Sequence, residues 1–265
     1  MSPHRATLLV GVANLIGRVT GMAREVAFSA VFGASLTTDA FNAAFRVPQL
    51  LRELLAEGSL QNAFVPAFLE ASERRGQEDA WKLASAVLGL LMVVLGGVTL
   101  LFWAGAGVWV HLVAAGFADN PEKFALTVQL TRWLSPFLAG LSLAGLFGGM
   151  LNARGRFFVP ALSQNILNLL VIGACLLGPQ WEFYTGQAPI LAVALATTLS
   201  GFGQLAVLVP SLWSEGFRFR PSLGGHPALS GMLRTFVPAL VGISTVQVNL
   251  LIESQWAAAY GDGPL

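Results

Sequence analysis

Apolar residues run through this chain in seven long blocks, approximately Leu8 to Phe32, Ala40 to Leu69, Leu83 to Val113, Phe124 to Leu151, Val159 to Leu177, Ile190 to Trp213 and Phe236 to Tyr260. A bilayer's hydrocarbon core, about 30 Å thick, takes about 20 apolar residues of α-helix to cross, so each block has the length of one crossing. Backbone polar groups cannot stay unpaired in hydrocarbon, and a helix satisfies them within its own segment. The pattern therefore predicts an all-α membrane protein of about seven transmembrane helices. Between the blocks the chain is short, with Asn120-Pro121, Gly178-Pro179 and Gly224-Gly225 supplying turn chemistry, and no stretch could house a soluble domain. The first block is not read as a cleaved signal peptide: Arg18, Arg24 and Glu25 interrupt it, and no A-x-A-like cleavage site follows.

Charge supplies an orientation. With alternating crossings, the N-terminus and the second, fourth and sixth loops share one side and carry Arg5, Arg74, Arg75, Lys82, Arg154, Arg156, Arg218, Arg220 and Arg234, whereas the opposite loops carry only Lys123. Nine basic residues against one is the asymmetry expected of cytoplasmic loops, which puts the N-terminus in the cytoplasm. Composition agrees with a membrane setting: 11% of residues are charged, against about 25% in soluble proteins. The formal net charge of +1 offers no bulk attraction to nucleic acid, and no nucleic-acid partner is expected.

Cys175 is the only cysteine, which excludes an intrachain disulfide and a cysteine-cluster metal site. His4, His111 and His226 lack ligand spacing, so no metal is expected and no cofactor is implied. There is no GxxxxGK[ST] run, and no convincing nucleophile–base set stands out. A transporter drawing its energy from elsewhere is expected rather than an enzyme.

Arg18, Arg24, Arg46, Arg52 and Arg132 fall inside apolar blocks, as do Glu25, Glu53, Glu57 and Glu253. An arginine at a helix centre costs roughly 2.5 to 3.5 kcal/mol on insertion scales, so intramembrane charge points to a functional site. At 1.5 Å per residue, Arg18 lies about 15 Å from the cytoplasmic end of its helix and Arg52 about 18 Å from the outer end of the next. Arg46 and Arg132, about 9 and 12 Å from the outer boundary, are within snorkelling reach of headgroups. The connection around Ala34 to Thr38 is short, so the first two helices are expected to pack as antiparallel neighbours, bringing Arg18 to nearly the depth of Arg52 to Glu57. Two readings stand at this point. In one, arginines neutralise Glu53 and Glu57, which repel each other at i, i+4. In the other, they line a polar cavity whose planar guanidinium forks suit phosphate oxygens of an anionic headgroup. Asp39 begins the second helix after Ser35, Thr37 and Thr38, where capping alone would account for it. Gly145 and Gly149 at small-xxx-small spacing, with Pro48, Pro136, Pro210 and Pro238, suit close packing with ordinary kinks, or a bundle that rocks.

Several runs carry a resemblance. Thr38-Asp39-Ala40-Phe41, Phe45-Arg46-Val47-Pro48, Leu51-Arg52-Glu53 and Ala56-Glu57-Gly58-Ser59, ending in Ala63-Phe64-Val65-Pro66, resemble in order and spacing the MviN/MurJ lipid II flippase family. The first helix, with Gly17-Arg18 and Gly21-Met22-Ala23-Arg24-Glu25, is similar to that family's opening helix. So are Gly116-Phe117-Ala118-Asp119 with Lys123-Phe124-Ala125-Leu126, and Leu151-Asn152 with Arg156-Phe157 and Pro160. The resemblance implies the multidrug/oligosaccharidyl-lipid/polysaccharide exporter (MATE-like) fold: two six-helix lobes around a central cavity, two further helices forming a lipid-tail groove, and alternating access that carries lipid II to the outer leaflet of the bacterial inner membrane. It assigns Arg18, Arg24 and Arg52 to the diphosphate-sugar headgroup, and Asp39 and Glu57 to gating or transport coupling. Its partners are lipid II and membrane lipid.

The chain ends at Leu265, just past the seventh block, where the family continues through about fourteen helices and adds another cavity arginine. It is accordingly read as a six-helix N-lobe over residues 1–215, a cytoplasmic connecting loop over 216–235 and the first helix of a C-lobe over 236–265, needing a C-terminal lobe or partner chain. Glu253 stands where a neutral polar residue is expected. A related exporter of another polyprenyl-diphosphate-linked glycan or a drug, and a noncatalytic membrane lobe, are the alternatives.

Overall fold

The computed structural model describes residues 3–55, 59–218, 220, 222 and 225–238, and among them every regular element is helical. The first predicted block becomes α1 (Pro3–Phe32), and the second is occupied by α2 (Leu36–Leu55) and α3 (Ser59–Arg75). The third divides into α4 (Gln77–Ala104) and α5 (Ala106–Val113), with Gly105 closing the first of them. A short 3-10 turn (Ala115–Asp119) leads into α6 (Pro121–Leu134), whose first turn is capped by Asn120 accepting the Lys123 N–H at 3.1 Å. The fourth block breaks at Ser135-Pro136, where proline lacks an N–H for the helix, and resumes as α7 (Phe137–Ala153). The fifth breaks at Gln164 into α8 (Phe158–Ser163) and α9 (Asn165–Leu176). A connecting helix, α10 (Gly178–Thr185), precedes α11 (Pro189–Ser214), and a further helical stretch begins at residue 227.

Four stretches of the described residues are long and apolar enough to cross a membrane: Gln77–Ala104, Pro121–Ala153, Phe158–Leu176 and Pro189–Ser214. The 30 residues of α1 also have the length, with Arg18, Arg24 and Glu25 along them. Of the seventh predicted crossing only residues 236–238 are described, and Glu253 lies outside the described residues, as does Glu57.

Packing corrects one expectation. α1 does not lie along α2; it packs on α8 and α9, while α2 packs on α6 and α7. The two helices meet chiefly beside their connecting turn, where the Phe28 and Phe41 rings are 5.3 Å apart. A short turn fixes sequence proximity but not the angle at which helices leave it, and here they splay around a space.

The most intimate contact is between α7 and α11. A Cβ on Gly140 would stand 2.7 Å from the Gly201 carbonyl carbon and 2.9 Å from the Phe202 nitrogen, so the two backbones touch where neither carries a side chain. Two apolar cores flank the crossing. One, around Phe64, Phe68, Leu88 and Met150, lies toward the ends of α3 and α7; the other, around Phe41, Leu134, Phe137 and Ile190, lies toward the opposite end.

The loops gather at two ends of the bundle, as alternating crossings require. The second, fourth and sixth are tied together at one end, where Arg154 donates to Gln77 Oε1 at 2.9 Å and to Glu215 at 3.2 Å, and His226 lies 3.3 Å from Asp79. The first and third meet at the other end through Lys123 and Asp39.

Candidate substrate cavity

The splay of α1 from α2 opens a cavity of about 620 Å³ walled by α1, α3, α7, α8, α9 and α11. Arg18 and Arg24 both line it from α1. Arg24 is half-buried and donates to the carboxylate of its neighbour Glu25, whereas Arg18 is exposed and meets no carboxylate among the described residues. The expected neutralisation of Glu53 and Glu57 by arginines falls on side chains outside those described, and the Arg24–Glu25 contact is between neighbours on one helix. Arg52 is placed on α2 by its backbone; its side chain, like that of Glu53, lies outside what is described. Arg46 is half-buried on α2. Arg132 reaches toward Trp103, with its guanidinium carbon 5.7 Å from the ring centroid in a cation–π arrangement.

The cavity that the arginines line also carries amides that sequence reasoning missed. Asn165 and Asn168 are buried one turn apart on α9, and both line the cavity with Gln61 and Gln204. Asn168 donates to the Thr20 hydroxyl at 3.0 Å and to the Gly17 carbonyl at 3.3 Å, while Asn165 Oδ1 lies 3.0 Å from Thr20 Oγ1. These bonds pin α1 to α9 and depend on Gly17, where a Cβ would come within 3.3 Å of Asn165 Oδ1. Gln61 donates to the Gly145 carbonyl at 3.1 Å, tying α3 to α7. The signal was present: two asparagines at i, i+3 in an apolar block are polar groups that a membrane helix keeps only for a partner or a polar space. Guanidinium donors and amides lining one cavity can together hold a ligand bearing both negative charge and neutral polar groups.

Asp39 lies elsewhere, and its predicted capping role is corrected. The helix begins at Leu36, so Ser35 is the cap, its hydroxyl accepting the Thr38 N–H at 3.3 Å. One turn further in, Asp39 accepts instead from Lys123 Nζ at 2.7 Å, a link between α2 and α6 that also sets the ammonium 4.0 Å from the Phe117 ring centroid. The Asp39 side chain is 58% exposed, which makes the pair a surface latch rather than part of the cavity. A double-mutant cycle of Asp39→Asn and Lys123→Ala, read by thermal unfolding, is expected to give a coupling of no more than about 1 kcal/mol. A coupling several times larger would place the pair in the load path of the fold.

Among the described residues no His, Cys, Asp and Glu gather into a group able to hold a metal.

Comparison with known proteins agrees with this architecture. The family model described as "Lipid II flippase MurJ" matches residues 28–263. The lipid II flippase MurJ of Burkholderia cenocepacia is 34% identical over 271 residues, spanning 99% of this chain and 51% of the relative. The probable lipid II flippase MurJ of Rhizobium meliloti is 36% identical, over 98% of this chain and 49% of its own length. The chain thus spans about half the length of the curated relatives it matches. Among solved structures, a lipid II flippase MurJ in an inward closed conformation superposes with a TM-score of 0.71 at 24% identity, over 92% of this chain and 49% of that one. A Vibrio cholerae MATE transporter in a bent form gives 0.72 at 16% identity, over 97% and 57%, which is likeness of fold.

Proposed function

The chain belongs to the MurJ lipid II flippase family, and on that premise we propose that it supplies one half of a cavity that carries lipid II from the inner to the outer leaflet by alternating access. The observation that carries this reading is the pairing of Arg18 and Arg24 with an amide wall in one cavity inside a bundle of apolar helices. The diphosphate of the lipid-linked precursor is the natural guest for guanidinium groups, and its sugars for the amides. Arg52, one helix away, completes the cationic set in this reading. Glu57 and Asp39 act in coupling and gating, Asp39 through its latch to Lys123 at the end away from the basic loops.

In this reading residues 1–215 form the six-helix lobe and the chain beyond leads into a second lobe; the expected loop over 216–235 is shortened, because helix resumes at residue 227. The protein sits in the bacterial cytoplasmic membrane with its N-terminus and basic loops inside, as the charge asymmetry favours. It is a transporter, and its partners are lipid II, membrane lipid and the complementary lobe.

The test is rescue of a bacterium depleted of its lipid II flippase, by this chain alone and by this chain joined to the C-terminal half of the Burkholderia cenocepacia relative. Rescue by the joined form, lost with Arg24→Ala or Arg52→Ala at equal membrane insertion, is expected. An inserted, stably folded joined form that fails to rescue would overturn the lipid II assignment and favour a related exporter.

A further inference from the structure

Two neighbouring helices of the cavity wall end in the same way at the same end of the bundle. α7 terminates with Gly155 at φ 73°, the Arg156 N–H returning to the Leu151 carbonyl at 2.8 Å and the Gly155 N–H to the Asn152 carbonyl at 2.9 Å. α11 terminates with Gly216 at φ 91°, the Phe217 N–H returning to the Leu212 carbonyl and the Gly216 N–H to the Trp213 carbonyl, each at 3.1 Å. Both are Schellman caps, and both need glycine at the left-handed position. Their side chains interlock. Glu215 from the second cap accepts from Arg156 Nε at 2.9 Å and from Arg154 Nε at 3.2 Å, and Arg154 extends to Gln77 Oε1 at the start of α4.

A carboxylate at a helix C-terminus opposes the helix dipole, and burial adds to that: the Glu215 side chain is only 12% exposed. Desolvation works against its ionisation, yet the hydrogen bonds from Arg156 and Arg154 outweigh it and hold the carboxyl below its usual range. The segment that follows is fastened too. Phe217 is buried beside Trp81 at 5.2 Å and Phe147 at 6.2 Å, and the Ser222 N–H donates to the Ser85 carbonyl at 3.1 Å. What the two arginines flank is the rim of the cavity, since Asn152 before them and Phe157 after them both line it.

We propose that Glu215 is a positioning residue that holds the fourth loop, through Arg154 and Arg156, at the mouth of the cavity. This rests on the functional reading above only for its consequence, that the clamp sets how the cavity opens on the side of the basic loops. The clamp itself is tested without substrate. Nitroxides on Phe157→Cys and Glu73→Cys, with buried Cys175 left in place, report the distance between the fourth loop and the end of α3 in lipid nanodiscs. The parent should give one narrow distance distribution. Glu215→Gln should broaden it, and Glu215→Asp should restore most of the narrow component. Adding Arg154→Gln and Arg156→Gln to Glu215→Gln should broaden it no further, because all three act through one contact. A Glu215→Gln distribution superimposable on the parent, or broadening that adds across the three substitutions, would overturn the proposal. Failure of rescue in the flippase-depleted strain would leave these distances unaffected, so the two readings fail separately.

Discussion

Replacing Gly140 by leucine is expected to unfold the helical bundle at its centre, with a loss of apparent melting temperature larger than any other single substitution considered. The reason is geometric. Even the Cβ of alanine would stand 2.7 Å from one backbone atom of Gly201 and 3.0 Å from another, closer than carbon atoms of real side chains approach. The obstruction is backbone, which cannot rotate aside, and Gly201 presents the reciprocal problem, with a Cβ 3.0 Å from the Phe137 carbonyl oxygen. Overpacking a filled core costs typically about 1–3 kcal/mol when flexible side chains can shift, and more is expected where two helix axes must separate. Gly140→Ala should already be destabilising at the upper part of that range, and Gly140→Leu should abolish a cooperative melt in detergent. By contrast Gly96→Ala, at a site with open space around the Cβ, should be neutral or mildly stabilising. Equal melts for Gly140→Leu and the parent would mean that α7 and α11 do not cross as described.

The all-helical, membrane-compatible character was legible because apolar length is a property of single segments, and four of the described stretches have the length and apolarity to cross. Where several segments combine, the sequence was less informative. Breaks at Gly105, Ser135-Pro136 and Gln164 fall inside continuous apolar runs, so the third, fourth and fifth blocks each concealed two helices. The short connection after Phe32 implied that α1 and α2 pack side by side, yet α1 turns to α8 and α9, because Asn165 and Asn168 offer Thr20 and the Gly17 carbonyl hydrogen-bonding partners. Asp39 had the company of a capping residue, and only the register of α2 revealed Ser35 in that role. The arginines of α1 were conspicuous as single misplaced charges. The amides lining the same cavity carry no charge, so Asn165 and Asn168 signalled a polar partner without showing that Gln61 of α3 and Gln204 of α11 join them around one space. Glu215 was simply one loop residue until the matching caps of α7 and α11 brought it to Arg154 and Arg156.

Neutralising the two cavity arginines is expected to have the largest functional effect. A charge-assisted hydrogen bond to a phosphate oxygen contributes about 1.5–3 kcal/mol, and each 1.4 kcal/mol is about tenfold in affinity. Arg24 already donates to Glu25, so part of its contribution is spent within the protein, and Arg18, with no carboxylate partner among the described residues, should matter at least as much. Arg18→Gln and Arg24→Gln together should therefore weaken diphosphate-lipid binding by roughly 100-fold or more, while leaving the Asn165–Asn168–Thr20 network and the fold in place.

The measurement that bears most directly on the account is a titration of lipid II into this chain in lipid nanodiscs, for the parent, the Arg18→Gln/Arg24→Gln pair and Lys123→Ala, which removes a cation outside the cavity. Saturable binding by the parent and by Lys123→Ala, with the paired variant weakened roughly 100-fold, is the result expected of an anion-binding cavity walled by α1. Binding of equal strength by the parent and the paired variant would contradict it, and would move the headgroup site away from this cavity.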